Sequence, residues 1–593
     1  MTDYKDTVYL PKTDFSMRAG LPTKEPQILK IWEETKLFKK LREQRKNSKP
    51  FILHDGPPYA NGNLHIGHAL NKIIKDVINR SQSMLGKNAN YVPGWDCHGL
   101  PIEWKIEENY RKKKKNKDDV PIVEFRKECR DFAAKWMDVQ SEEFQRLGVY
   151  GDWEDPYSTM KFESEAIIMS EIGKFLMNGS LYRGIKPVMW SPVEKTALAE
   201  AEIEYHDHIS TTIFARFPVI KTSLDIISNF EIIIWTTTPW TMPGNRAVAY
   251  GKDINYSLLE ITSVGENSLA KIGDKIIIAK ELVEEVMKEI SVLSFNSTKT
   301  LKGSDFEGTV LAHPLNKKGY EHEVLLLEAD FVTIDQGTGF VHIAPGHGAD
   351  DFELGRKNNL PIPETVSDNG ILNNDLPLLG GLRVLKDNEI IADIMSEHNA
   401  LIGRGKLNHS YPHSWRSKAP LVFRTTPQWF ISMTTNNLRD TSLKALSQTT
   451  FYPPQGQNRL TKMIEDRPDW CISRQRAWGV PLAIFVNKKT QEPLRDQEVI
   501  DRIVKAFKTH GADVWFEKSS SYFLGSKYNP DDYEAVTDIA DVWFDSGSTH
   551  SFVLEERDDL FWPASLYLEG TDQHRGWFHS SLLESCGTRG RAP

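Results

Sequence analysis

Apolar residues recur along the chain with two spacings, and each spacing predicts a different kind of element. In residues 26–45, "PQILKIWEETKLFKKLREQR", Ile28, Trp32 and Leu41 fall at near-helical intervals and predict one amphipathic helix. "FILH", residues 51–54, is a short continuous apolar run of the kind a buried strand shows. In "LHIGHALNKIIKDVINRSQSML" the positions Ile66, Leu70, Ile73, Ile74 and Val77 make an apolar stripe and predict a helix. "ANYVPGWD" reads as the next strand, and helical patterns follow over 121–147 and 162–178. Strand, helix, strand in that order implies a βαβ unit and a parallel sheet.

Near residue 205 the spacing changes. "TTIFARFPVI", "EIIIWTTTPW", "YSLLEI", "DKIIIAK" and "ADFVTIDQGTGFVHIAPG" are short β-branched runs separated by turns, and they predict a separate β-rich domain to about 400. Mixed signals then return as far as "SLYLEGTDQHRGWFHSSLLESC", which reads as strand, turn, helix. The arrangement predicts an α/β nucleotide fold split by a large β-rich insertion, since insertions at loop tips are well tolerated. The boundaries are an N-terminal helical extension over 1–48, a first half over 49–200, the insertion over 201–405 and a second half over 406–593.

The chain has 593 residues, enough for roughly four folding units. A formal charge of −9 argues against generic polyanion binding while leaving room for a local basic face. "RKKKKNK", residues 111–117, reads as a solvated tip with a nucleic-acid contact as the alternative. Cys97, Cys129, Cys471 and Cys586 form no C-x-x-C pair, which fits a reducing compartment. The N-terminal residues contain acidic groups and no apolar core of a secretory signal, and no run of 18 apolar residues predicts a membrane span. Cytoplasmic location, no membrane partner and a monomer are the expectations.

The chemistry concentrates first at "DGPPYANGNLHIGH", residues 55–68. His65 and His68 stand three apart and share one helix face, which allows a metal pair, core histidines or a phosphate site. No neighbouring Glu or Cys completes a zinc set. The loop of Gly56, Pro57, Pro58, Gly62 and Asn63 leads from a strand into a helix N-terminus, where N–H groups and the helix dipole favour an anion. Gly67 keeps that face low for a ligand. Phosphate, as part of a nucleotide triphosphate, is the favoured reading.

"PPYANGNLHIGHALNK" resembles the HIGH signature of class I aminoacyl-tRNA synthetases, and the wider string looks like their isoleucyl branch. "PGWDCHGLPIEWKIE", "WTTTPWTMPGNRAV", "GTGFVHIAPGHGADDFELG", "DWCISRQRAWGVPL", "DVWFDSGS" and "YLEGTDQHRGWF" follow in that family's order. The resemblance spans the chain. It implies a Rossmann-like catalytic fold with an editing insertion. It also implies ATP-dependent activation of isoleucine, transfer to tRNA(Ile) and hydrolysis of valyl products. ATP with Mg²⁺ is then a substrate rather than a resident cofactor.

Carried over residue by residue, the resemblance places His65 and His68 on the triphosphate, with Gly56, Gly67, Gly570 and Asp572 also at the nucleotide. Asp572 would accept from the ribose hydroxyls. Asp96 would hold the amino acid's ammonium. Pro57 and Trp543 would wall its side chain, and Glu569 and Gln573 would contact the aminoacyl part. A methylene discriminates isoleucine from valine by only about 1–3 kcal/mol, for which the isoleucyl enzyme is itself the standard example, so a second hydrolytic site is needed. There the resemblance offers Thr236, Thr237, Thr238, Trp240, His342, Asp350 and Asp351, with Asp351 as the ammonium-binding carboxylate.

In "YPHSWRSKAP", residues 411–420, Ser414 and Ser417 stand where some relatives have zinc-binding thiols; serine is a poor zinc ligand, so no metal is expected in this segment. The family's KMSKS loop, anticodon-binding domain and C-terminal zinc module do not occur in these residues. "LTKMIED", 460–466, is the only similar stretch and its surroundings do not match. The expectation is therefore the N-terminal part of a longer synthetase, with impaired activation. An editing-only deacylase fragment, or an inactive nucleotide- or tRNA-binding remnant, is the alternative.

Overall fold

The computed structural model describes residues 4–9, 13–14 and 18–593. Residues 1–3, 10–12 and 15–17 of the expected N-terminal extension lie outside the described residues. Two compact units form: one from the segments up to Ser180, Met433–Pro468 and Ala477–Pro593, the other from Leu181–Ser432 with Asp469–Arg476.

In the first unit the expected single N-terminal helix is two, α1 (Leu21–Glu34) and α2 (Leu37–Arg45). The break falls at Lys36, whose φ of 51° is left-handed and cannot continue an α-helix. Strand β1 (Pro50–His54), helix α3 (Ile66–Met84) and strand β2 (Asn88–Asn90) make the expected βαβ unit, with β1 and β2 parallel. On its other edge β1 pairs in parallel with Leu566–Tyr567, so residues more than 500 positions apart share one sheet. "ANYVPGWD" is divided, since Gly94–Trp95 pairs instead with Tyr157–Ser158. Helices over Ile122–Arg146 and Phe162–Met177 match the pattern. The lysine tip lies where the Leu100–Lys112 helix ends, and Lys113, Lys114 and Lys115 are exposed.

Helix α3 inverts the expected amphipathic sense. Ile66, Leu70, Ile73, Ile74 and Val77 are exposed, from 43% at Ile73 to 86% at Ile66, whereas Lys72, Lys75 and Asn79 are buried at 5% or less. The inversion has an electrostatic cause. Lys72 and Lys75 both reach Asp55, the residue after β1, and Lys75 also reaches Glu569. Buried charges are tolerable only when paired in this way.

The second unit is built on a ten-stranded sheet that includes the long strands Ile203–Lys221 and Leu401–Ser414 and the strands Glu231–Thr236 and Phe340–Ile343. Its core includes a block of fully buried isoleucines, Ile232, Ile233, Ile234, Ile276, Ile277 and Ile278, packed with aromatic residues such as Phe217, Tyr256 and Phe306. "ADFVTIDQGTGFVHIAPG" contributes only Phe340–Ile343 as strand; the rest is turn and loop. This unit reaches beyond 201–405 in both directions, because Leu181–Ser191 and Val422–Ile431 pair with each other in a four-stranded sheet. Among the described residues no helix is long and apolar enough to cross a membrane.

Candidate functional site

The turn before α3 is pinned from outside. Glu143, on the Ile122–Arg146 helix, accepts from the Asn63 side chain at 2.7 Å and from the Leu64 N–H at 2.8 Å. His65 then caps α3: its Nδ1 accepts from the Gly67 N–H at 3.1 Å, while the His65 N–H donates to His68 Nδ1 at 3.3 Å. The two rings lie 3.9 Å apart. A Cβ at position 67 would come within 2.9 Å of the His65 ring, so the room that glycine leaves is taken by His65 itself rather than held open for a ligand. Burial, with help from the neighbouring His65 and Lys72, lowers the His68 pKa to about 4. At neutral pH His68 is therefore a neutral hydrogen-bonding group.

All the activation-site candidates line one cavity of about 520 Å³: Gly56, Pro57, His65, Gly67, His68, Asp96, Trp543, Glu569, Gly570, Asp572 and Gln573. The Asp96 backbone is held by two bonds, donating its N–H to the Pro58 carbonyl at 2.9 Å and accepting from the Ala60 N–H at 3.0 Å. Burial raises the Asp96 carboxyl well above the usual range, and the charge of Asp545 adds to this. A cation arriving beside it would reverse that shift. Trp543 is half-buried, and Gly576 gives it room: a Cβ there would meet the indole at 2.5 Å. Gln573 accepts from the Trp577 N–H at 3.1 Å and donates to Asp572 at 2.9 Å, leaving Asp572 exposed at the rim.

Glu569 is already engaged. It accepts from the Gly56 N–H at 2.9 Å, from Asn71 at 2.7 Å and from Lys75. Sequence reasoning missed Asn71, Lys72, Lys75 and Trp577, all of which line the same cavity. The available signal was the second helical stripe in α3, Lys72, Lys75 and Asn79, facing the acidic residue of "HDG". Burial alone would raise Asp55, but the two lysines outweigh it and hold its carboxyl below the usual range.

The second unit brings several of its candidates onto one hydrogen-bonded chain. Thr236 Oγ1 lies 3.1 Å from Thr238 Oγ1, which lies 3.3 Å from Thr241 Oγ1; Thr241 in turn meets His342 Nε2 at 2.9 Å. Asn245 donates to His342 Nδ1 at 2.7 Å, so the ring proton sits on Nε2. Burial lowers His342 to about 3, leaving it neutral. Thr237 is half-buried between its neighbours. Trp240 belongs to the core, 2% exposed and packed edge-on to His347 at 5.0 Å. Asp351 accepts from the Ala344 N–H at 2.8 Å, and burial raises its pKa to about 6. Asp350 is exposed and lines a separate open cavity with Leu327, Phe331 and Glu353.

Ser414 and Ser417 surround a buried carboxylate. Glu194 accepts from the Ser414 hydroxyl at 2.8 Å and from the Ser417 N–H at 3.1 Å. Among the described residues no group of three or more His, Cys, Asp or Glu side chains is arranged to hold a metal ion.

The chain is similar to known proteins over nearly its whole length. The isoleucine–tRNA ligase of Pelagibacter ubique (strain HTCC1062) is 57% identical over 589 residues, covering 99% of this chain and 65% of that protein. The isoleucine–tRNA ligase of Gluconobacter oxydans (strain 621H) is 56% identical over 604 residues, covering 100% of this chain and 63% of its own length. The chain thus spans a little under two thirds of the length of these relatives. The family model for class I tRNA synthetases of the I, L, M and V group matches residues 27–593. A carboxyl-bearing cavity at the mouth of a parallel sheet, a histidine-capped helix beside it and a match over nearly the whole chain lead to one assignment: the chain belongs to the class I tRNA synthetases of the isoleucine, leucine, methionine and valine group.

Proposed function

We propose that the cavity of the first unit activates isoleucine with ATP for transfer to tRNA(Ile), and that the second unit hydrolyses valyl products. The observation that carries the reading is the convergence of Asp96, Trp543, the His65–His68 turn and the Glu569–Gln573 loop on one cavity of about 520 Å³, a volume within the range of small-molecule sites. In this reading Asp96 binds the α-ammonium, and Pro57 and Trp543 take the aliphatic side chain. The isoleucine carboxylate attacks the α-phosphorus of ATP. The new C–O–P bond forms as the bond to the β-phosphate oxygen breaks, and pyrophosphate carries away the electron pair. The step requires positioning and charge stabilisation rather than a covalent enzyme intermediate.

The buried lysines bear on where the stabilising charge comes from. Lys72 and Lys75 are committed to Asp55 and Glu569, so little of their charge is left for the triphosphate. The helix dipole, the imidazole donors and the Mg²⁺ that travels with ATP supply it. In the second unit, Asp351 would take the ammonium of a misactivated valine, and the Thr236–Thr238–Thr241–His342 chain would order water or ribose beside it. Isoleucine-dependent exchange of labelled pyrophosphate into ATP tests the first claim; exchange unaffected by isoleucine refutes it. Deacylation of valyl-tRNA, lost in Asp351→Ala, tests the second.

A further inference from the structure

Beneath the Asp96 loop lies a buried charged cluster to which the activation chemistry gives no task. The His98 ring is fully buried, with Nδ1 2.9 Å from Asp545 and Nε2 3.5 Å from Glu165. Glu165, on the Phe162–Met177 helix, is itself held by Arg130 at 2.7 Å and by the Ala512 N–H at 2.7 Å. The ring meets Trp478 edge-on at 4.9 Å, and the Trp478 indole N–H donates to the Cys97 carbonyl at 2.7 Å. Two groups of the substrate cavity hang on this ring. Asp96 stands two residues before it, and Trp543 stands two residues before Asp545 on the short Val542–Gly547 helix.

The charges explain why a histidine suits this position. Asp96, Asp545 and Glu165 are all buried. Buried carboxylates of like sign cannot stay ionised together without cations placed among them. Arg130 serves Glu165, and His98 stands between Glu165 and Asp545. Burial alone would depress this imidazole, but its bond to Asp545 and the nearby Glu165 carboxylate raise it to about 8.

We propose that His98 is a positioning residue for the amino-acid subsite: tied to Asp545, its ring fixes the loop carrying Asp96, and its charge, set against that of Asp545, eases the ionisation of Asp96 as the substrate ammonium arrives. The inference rests on the function proposed above. It differs from a packing role in one measurable respect. A packing role affects all ligands alike, whereas this role acts through the ammonium.

The test is equilibrium binding of two adenylate mimics, isoleucyl-sulfamoyl-adenosine and its desamino counterpart, to the wild type, His98→Ala and His98→Asn. The wild type prefers the amino compound. His98→Ala loses at least tenfold in affinity for it, with less than a twofold change for the desamino compound. His98→Asn, which keeps a donor towards Asp545 without the charge, falls between the two. Equal weakening of both mimics, or an unchanged amino preference in both variants, overturns the proposal. A wild type that binds neither mimic overturns the underlying functional reading instead. If His98→Ala fails to fold by circular dichroism, His98→Asn and His98→Gln carry the comparison by the same criterion.

Discussion

Lys75 shows how far a single residue can be from its usual setting. Its ammonium is 1% exposed as a residue and lies between Asp55 and Glu569. Lys75→Met would leave Glu569 without its cation and weaken the hold on Asp55, and breaking a buried pair from one side costs about 3 kcal/mol. Urea unfolding should show a loss of that order; a loss below about 1 kcal/mol would mean the pair contributes little. His68 makes the complementary case for function. As a neutral donor at the head of α3 it should act on the developing phosphate charge, so His68→Ala should lower kcat for pyrophosphate exchange about 100-fold and leave the KM for isoleucine nearly unchanged. At this scale the two histidines came from the residue pattern and Asp96 and Trp543 from the family resemblance, and all four line one cavity. The pattern hid the lysines, because nothing in a helical wheel says which of two periodic stripes will meet a carboxylate.

Among the elements, α3 is the one whose sense the pattern did not convey. Hydrophobic periodicity set its bounds to within two residues, but its orientation is decided by Asp55 and Glu569, which come from before it and from nearly 500 residues after it. Polar replacements on the exposed stripe, such as Ile73→Lys or Val77→Lys, should therefore change stability by no more than about 0.5 kcal/mol, while Lys72→Ala costs several times as much. Thermal melts of the three variants distinguish this orientation from the conventional one. The α1–α2 break gives a second test. Lys36 holds a left-handed conformation that glycine adopts without penalty, so Lys36→Gly should stabilise by up to about 1 kcal/mol, measured by denaturant titration. A backbone preference of one lysine is not visible in apolar spacing, which is why the two helices read as one. The β-rich insertion was legible from its β-branched runs; its outer strands were not, because Leu181–Ser191 and Val422–Ile431 pair across more than 200 residues.

For the whole chain, protonation offers a test in the second unit that needs no substrate. Asp351 is raised to about 6 by burial, so its neutral form is favoured by folding. The stabilising effect of that protonation is fully present below about pH 4 and is lost as pH rises through about 6. Asp351→Asn, permanently neutral, should gain about 1–2 kcal/mol over the wild type at pH 7.5, a figure discounted for the side chain's partial exposure, and should show no gain near pH 4. Unfolding curves at the two pH values check the sign. Should the residue bind ammonium as proposed, deacylation by the wild type would also fall as pH drops below about 6.

The central claim concerns the first unit: that its cavity receives an aminoacyl-adenylate with the ammonium on Asp96. Calorimetric titration with isoleucyl-sulfamoyl-adenosine, comparing the wild type with Asp96→Asn, tests it most directly. The account predicts one-to-one binding by the wild type and a loss of about 100-fold in the variant, equivalent to about 2.7 kcal/mol. No binding by the wild type, or equal affinity in Asp96→Asn, would contradict it.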